Sequence, residues 1–339
     1  MDTFVFVLVI AGACGFTVLN GFRDVANAIA GAVRTGALQP RIAVVGAAAF
    51  AFIGTLLSTS FSLALLDRAS FHYHSPASGL GLLLAAIISA TAWLLWTWFR
   101  GIPHSSTHAL FAGLAGALLA SALLHPEDPI GVPLLILGGV LIPTIVTPVV
   151  AYIVSFAVTI PATWFMRHST SSRVTRVSRG AQAVTSLAVS LGNGLQDGQR
   201  NAALLTFAFV IYTGTETTDS IPWWAPLTAA LCMGLGALGG GWRITHTIGY
   251  RLVRFDPLRG ATAQGVSALL LFAGALVLHL PLSTTQAVTS SIVGAGANQR
   301  FESVIWANVL RVATYWLTGP VICLGLGWLL YLAMHPLLG

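Results

Sequence analysis

Lysine is absent from the chain. All 16 of its basic residues are arginine, against 10 acidic residues, in a total of 339. Lysine chemistry of any kind is excluded, including the GxxxxGK[ST] loop that cradles ATP phosphates. Charge of either sign is scarce as well. A soluble domain carries about one charged residue in four, so 26 in 339 excludes an ordinary soluble domain. Cysteine is rarer still: Cys14, Cys232 and Cys323 are scattered through apolar stretches with no CxxC or Cys/His spacing. Neither a disulfide framework nor a zinc site is suggested, and the three read as packing residues. The net charge of +6 invites a nucleic-acid reading, but the arginines stand singly or in small groups between apolar runs. No basic stripe is built, so no nucleic-acid partner is expected.

What the chain has instead is apolar sequence, 56% of it, with a mean hydropathy of +0.83. That is enough for about ten spans of roughly 20 residues. Apolar runs separated by polar breaks fall at 3–33, 42–66, 78–99, 102–124 and 130–165, then at 181–213, 224–242, 261–279, 281–298 and 303–333. The first 20 residues look like a signal-peptide core, yet Asp2 replaces the basic flank and no A-x-A site follows, so they read as the first span. Irregular backbone at membrane depth must be lined by protein. Gly21, Gly192, Pro103 and Pro281 interrupt runs and mark candidate discontinuous helices.

Short cytoplasmic loops retain positive charge, which tests sidedness. With the amino terminus outside, ten crossings place Arg34, Arg41, Arg100, Arg167, Arg173, Arg176, Arg179, Arg243, Arg251, Arg254, Arg259 and Arg300 inside. Arg68 alone falls in an outside loop, with the acidic turns Glu127/Asp128 and Glu216/Asp219. Both termini are therefore expected outside, in a cell membrane protein.

The halves repeat. Asn20-Gly21-Phe22-Arg23-Asp24 recurs as Asn193-Gly194-Leu195-Gln196-Asp197, an offset of 173. Pro103-His104-Ser105-Ser106-Thr107-His108 recurs as Pro281-Leu282-Ser283-Thr284-Thr285-Gln286, an offset of 178. Two unrelated motifs at nearly one offset define a repeat. An odd number of crossings per half inverts the second copy. The expected fold is all-α and polytopic, two inverted five-span repeats with discontinuous or re-entrant helices: residues 1–165, an Arg-rich cytoplasmic linker at 166–180, and residues 181–339. Secondary transporters are built this way, with the substrate at the repeat interface near the midplane.

Of ten carboxylates, only Asp24 and Asp197 sit deep in apolar runs, at one position of the two repeats. Each needs a cation, a proton or a hydrogen-bond donor. Arg23 and Arg200 could simply pair with them to stabilise the spans; the symmetry favours a path for ions or substrate. The Pro-x-Ser-Ser/Thr-Thr segments place hydroxyls after a proline in each half. Proline favours a first helical turn, where free amides and the positive dipole end face outward, so an anion fits there. Serine and threonine also pack helices in lipid, but a lone triplet would do that without being duplicated. An anion site containing carboxylates selects for phosphate, whose P–OH can donate to a carboxylate where sulfate has no proton to give. Co-bound protons or sodium would balance the charge and couple uptake to a gradient.

NGFRDVANAIAGAV, GNGLQDGQRNA, PHSSTHALFAGLAGA and PLSTTQAVTSSIVGAGA, with GGWRITHTIGYRLVRFDP, resemble the signature segments of the inorganic phosphate transporter (PiT) family, of the bacterial low-affinity permease type. The resemblance spans residues 19–300. It implies a phosphate and cation site made of Asp24, Asn27, Asp197, Ser105, Ser106, Thr107, Ser283, Thr284 and Thr285. Arg200 joins the substrate ligands, and Asn20, Asp24, Asn193 and Asp197 are the expected ligands of the coupling cation. The chain departs from that family in having Arg23 for Asn or His, Gln286 for His, and Gly-Leu-Gln-Asp for Gly-Ala-Asn-Asp. Gln264 stands where sodium-coupled members resemble one another in a membrane Glu. A proton is therefore slightly favoured over sodium.

His72 and His74 read as a polar outside loop more readily than as metal ligands. His104 and His108 flank the hydroxyls, as proton relays or as hydrogen-bonded helix residues. The ten tryptophans read as interfacial anchors. The expected function is a symporter of inorganic phosphate, without cofactor and with no metal beyond a possible sodium ion. A sulfate or related oxyanion permease is the alternative, followed by an intramembrane hydrolase using Asp24, a serine and His108, or a passive anion channel. A homo-oligomer is left open.

Overall fold

A computed structural model of the chain describes residues 2–58, 73–125, 134–215, 221–278, 280 and 282–338. Pro281, Arg68, His72, Glu127, Asp128, Glu216 and Asp219 lie outside the described residues. The described chain forms α1 (Asp2–Arg34), α2 (Pro40–Leu57), α3 (Pro76–Phe99), α4 (Ser106–Leu124), α5 (Leu134–Met166) and α6 (Ser171–Thr213). It continues with α7 (Trp224–Ala237), α8 (Trp242–His246, extended by a π-turn Thr247–Arg251), α9 (Pro257–Phe272, extended by a π-turn Ala273–Leu278), α10 (Thr284–Gln299) and α11 (Trp306–Leu338). Local chemistry sets several ends. Ser75 and Asp256 cap α3 and α9 through Ser78 N and Arg259 N, each just before a proline that opens the helix. Gly214, at φ 65°, ends α6.

Seven of these helices are long and apolar enough to cross a membrane, and α7 with α8 makes an eighth span if the 59° bend between them is counted as one broken crossing. Three of the expected spans are not among the seven: 181–213 lies within α6, which is long enough but too polar to count, and two others are modified. The run 224–242 breaks after Ala237, where Gly240 and Gly241 take φ values of 79° and 50° that favour glycine. The run beginning at 281 becomes helical only at Thr284 and lasts 16 residues. The break at Pro103 is present, as non-helical backbone between α3 and α4.

Gly21 and Gly192 do not interrupt their helices. A Cβ on Gly21 would stand 2.2 Å from the Met233 carbonyl oxygen, and one on Gly192 would stand 2.9 Å from the Leu271 Cβ. These glycines admit neighbouring helices to close range, the usual role of small residues in lipid. The expected linker differs too: residues 171–180 are the opening turns of the 43-residue α6, with Arg173, Arg176 and Arg179 exposed on them. Arginine is a good helix former and recurs at every third position from 173 to 179, and the polar stretch extends the helix instead of breaking it.

The repeat is inverted. From one end to the other, Thr3 meets Tyr212 at 3.1 Å, Asn193 donates to the Asp24 carbonyl at 3.2 Å, Ser186 to Ala28 O at 2.9 Å, and Thr35 to Gln182 Oε1 at 2.5 Å. Numbers rise along α1 as they fall along α6, so these equivalent helices are antiparallel. The halves also exchange partners. Helix α2 packs on α6 while α7 packs on α1, and α4 packs on α11 while α10 packs on α5.

Both chain ends lie at one end of the molecule. Phe6 stacks on Tyr212 there, and His125 stacks on His74 at 4.6 Å with His335 5.6 Å away. At the opposite end Arg34 lies over Tyr250 and Arg243 donates to Phe99 O. The faces of α5 and α11 turned away from the other helices are apolar, with Ile145, Ile153, Leu310, Leu317 and Val321 all exposed, as the bilayer requires.

Candidate functional site

Two helix starts meet in the middle of this arrangement. Helix α4 runs from there toward the His125 end and α10 toward the arginine end, so their N-termini come to the centre from opposite sides. Each is capped alike: the Ser105 Oγ accepts from His108 N and the Ser283 Oγ from Gln286 N, both at 3.2 Å. This accounts for the duplicated motif. The first hydroxyl of each segment holds the helix end, and its oxygen is occupied. Ser106, Thr107, Thr284 and Thr285 follow it, all buried, on first turns whose amides have no partner within the helix.

The unwound approach to each start is fastened separately. Trp316 Nε1 donates to Pro103 O at 3.0 Å. Gln196 accepts from Leu282 N at 3.1 Å while donating to Leu271 O at 3.0 Å. Both contacts satisfy backbone that no helix ladder serves.

The central turns of α1 and α6 bring the carboxylates to these helix starts, crosswise. Asp24 of the first half meets the second half's cluster: Thr285 Oγ1 donates to its Oδ1 at 3.5 Å and accepts from Asn27 Nδ2 at 3.2 Å. Arg200 of the second half meets the first half's cluster, donating from Nη1 to Ser106 Oγ at 3.2 Å and to the Thr107 hydroxyl. The same nitrogen pairs with Asp197 Oδ1 at 3.2 Å. The sequence alternative that Arg200 pairs with Asp197 is thus correct, but the pair also bridges to the hydroxyl cluster. Asp24 and Asp197 lie close enough to interact, as do Asn20 and Asp197. Two carboxylates that share one buried centre repel, which a bound proton or cation relieves.

Every expected site residue is buried: Asn20, Asp24, Asn27, Ser105, Ser106, Thr107, Asn193, Asp197, Arg200, Ser283, Thr284 and Thr285. Much of their polar capacity is unused. Asn20 Oδ1, Asn193 Oδ1, Asp24 Oδ2, Asp197 Oδ2 and Asn27 Oδ1 have no hydrogen-bond partner among the described residues. Buried polar atoms are ordinarily satisfied. A concentration of acceptor oxygens without donors has the chemistry of a cation or proton site, and it sits beside donors that suit an anion.

Arg23, expected only as an ion-pair partner of Asp24, is buried, donates to Thr97 Oγ1 at 3.3 Å, and leaves Nε and Nη1 without partners among the described residues. Gln264 is buried and donates to Ala28 O. Its Oε1 is unpartnered, so it too offers an acceptor. His104, just before α4, bonds locally to Ser105 O at 3.0 Å, and His108 in its first turn meets Thr144 Oγ1 of α5 at 3.2 Å.

Comparison with known proteins gives the family and the fold. The model of a family described as the phosphate transporter family matches residues 20–177 and again 166–327, one match for each half. A probable low-affinity inorganic phosphate transporter of Bacillus subtilis (strain 168) is 32% identical over 97% of this chain and 97% of its own. One from Mycobacterium tuberculosis (strain CDC 1551 / Oshkosh) is 33% identical over 94% of this chain and 74% of its own. Among solved structures, one titled the sodium-dependent phosphate transporter has the same fold, with a TM-score of 0.84 over 98% of this chain and 99% of that one at 20% identity.

Proposed function

Since the chain belongs to the phosphate transporter family, we propose that it is a secondary active transporter carrying inorganic phosphate across the membrane together with a cation. The family is one of transporters, so the hydrolase alternative is set aside. The observation that carries the reading is the crosswise meeting of two helix starts with Asp24 and Arg200 in a buried centre.

Phosphate oxygens take the free amides of α4 and α10 and the hydroxyls of Ser106, Thr107, Thr284 and Thr285. The two helix dipoles point the same sign of potential at it from opposite sides. Arg200 supplies a full positive charge, and Arg23 a second one nearby. A P–OH proton donates to Asp24 or Asp197, which an oxyanion lacking a proton cannot do; that selects phosphate over sulfate. Because the halves are inverted, the same contacts can be offered toward either face, which is the geometry of alternating access.

The coupling ion in this reading is a proton held between the Asp24 and Asp197 carboxyls. A second reading, sodium, is favoured by the unpartnered Asn20 and Asn193 oxygens beside those carboxyls, since neutral and charged oxygens together suit a hard cation. The arginine-bearing end is the cytoplasmic one by the excess of positive charge, which leaves both termini outside.

Phosphate uptake into proteoliposomes under an inward proton gradient without sodium, and under a sodium gradient without a pH difference, tests both levels. Concentrative uptake under either supports symport. Uptake driven fully by sodium alone, unaffected when the proton gradient is collapsed, overturns the proton assignment and keeps the phosphate one. Phosphate flux that needs no gradient and never concentrates would mean a channel.

A further inference from the structure

The arginine-bearing end carries surface cavities. A cavity of about 400 Å³ opens between the end of α3 and the α8 segment, lined by Arg100, Arg243, His246, Thr247 and Arg251, with Trp242 in its wall. A smaller cavity adjoins it, sharing Arg100, Gly101, Thr247 and Arg251 and adding Asn308 and Arg311 from the start of α11. Four exposed arginines from three parts of the chain line the two cavities, three to each, with Arg100 and Arg251 common to both.

None of the four has an acidic partner among the described residues, where the ion pairs are Asp197–Arg200 and Asp256–Arg259. Arg243 is oriented by Phe99 O at 3.0 Å and by the Trp98 ring at 4.8 Å, and Arg100 lies 5.1 Å over Trp96. The walls are tied together. Asn308 donates to Arg251 O at 2.7 Å and Ile305 N to Leu252 O at 2.9 Å, so the π-turn is fixed to the start of α11. Retention of positive charge at the cytoplasmic end explains why arginines occur there. It does not by itself explain why four of them line two adjoining cavities without an acidic neighbour among the described residues, an arrangement that attracts anions.

Gly101, in both linings, has a φ of 65°, and the buried stretch that follows it ends at Ser105, the cap of α4. We propose that these joined cavities form a second anion site, separate from the buried centre, that holds a phosphate group at the inner mouth of the protein. That group is either free inorganic phosphate or the headgroup of an anionic lipid, both recognised by the bidentate donors of arginine. The inference stands on the cavity and its charge, independently of what the buried centre carries.

Arginine footprinting tests it. The purified full-length chain is treated with phenylglyoxal, and modification of Arg251, Arg311 and the exposed Arg41 is followed by peptide mass spectrometry. In detergent, inorganic phosphate at about ten times its dissociation constant should slow modification of Arg251 and Arg311 about tenfold, with Arg41 unaffected. In phosphate-free nanodiscs, slowing in phosphatidylglycerol bilayers but not in phosphatidylcholine ones assigns the group to lipid. Protection by solute phosphate should persist in Asp24→Asn, so that failure of the central site is read apart from failure of this one. Modification of Arg251 and Arg311 at one rate under every condition, or protection that disappears in Asp24→Asn, overturns the proposal.

Discussion

Asn27 donates from Nδ2 to the Thr285 hydroxyl at 3.2 Å, and Arg200, its repeat counterpart, donates to Thr107, the counterpart of Thr285. The contact is the same in both halves but the donor is neutral in one and cationic in the other. The site is therefore nearly two-fold in shape and lopsided in charge, and the two hydroxyls should respond differently to removal.

Thr285→Val removes a hydroxyl that bridges Asn27 and the Asp24 carboxyl, and Thr107→Val one bonded to the Arg200 guanidinium; each should weaken phosphate binding by about 0.5–1.5 kcal/mol per lost hydrogen bond, Thr107→Val the more because its neighbour is the cation. Equilibrium binding of phosphate to the purified variants measures both. Unchanged affinity in both would remove the hydroxyls from the substrate's surroundings.

Asp24→Asn and Asp197→Asn should each abolish concentrative phosphate uptake in proteoliposomes while the protein is still made and inserted. Loss of one carboxyl leaves its neighbour with no partner to share a proton or cation. Accumulation at the wild-type level by either variant would exclude that residue from the coupling site.

Gly54 and Gly194 face each other where α2 crosses α6: a Cβ on Gly54 would stand 2.3 Å from Leu191 O, and one on Gly194 would stand 2.3 Å from Ala51 O. Gly194→Ala should force the helices apart and destabilise the fold by about 1–3 kcal/mol. A lowered Tm in detergent would report it; a Tm equal to that of the wild type would show that the crossing yields without strain.

Cysteines introduced at Ser172 and Arg254, with the three native cysteines replaced, should react with impermeant thiol reagents only from the cytoplasmic face. Both positions are exposed at the arginine-bearing end. Labelling of either from outside intact cells would reverse the proposed orientation.

The carboxylates, the two hydroxyl clusters and the repeat relating them were legible because each departs from its surroundings: a charge in an apolar run, a polar triplet after proline, a pattern met twice. Gly21 and Gly192 were misleading because a glycine in an apolar run can mean a break or a close neighbour, and only the Met233 carbonyl and the Leu271 side chain decide between them. The short α10 was hidden because Leu282, Ser283 and the residues after them are as compatible with crossing as with an unwound approach. Arg23 was discounted because Asp24 beside it offered a sufficient partner, whereas its described hydrogen bond goes to Thr97. Crosswise pairing of the halves has no local signature, since nothing near Asp24 in sequence points to Thr285.

That exchange between halves bears on how the protein is made. Asp24 enters the bilayer with the first helix, yet its hydroxyl partner Thr285 lies 261 residues further along the chain. At about 5–20 residues per second, the ribosome needs on the order of ten to fifty seconds to reach it. Until then Asp24 faces lipid or the insertion machinery, where a carboxyl avoids its charge by keeping its proton. The proposed anion site comes into being only when the last third of the chain threads back against the first helix.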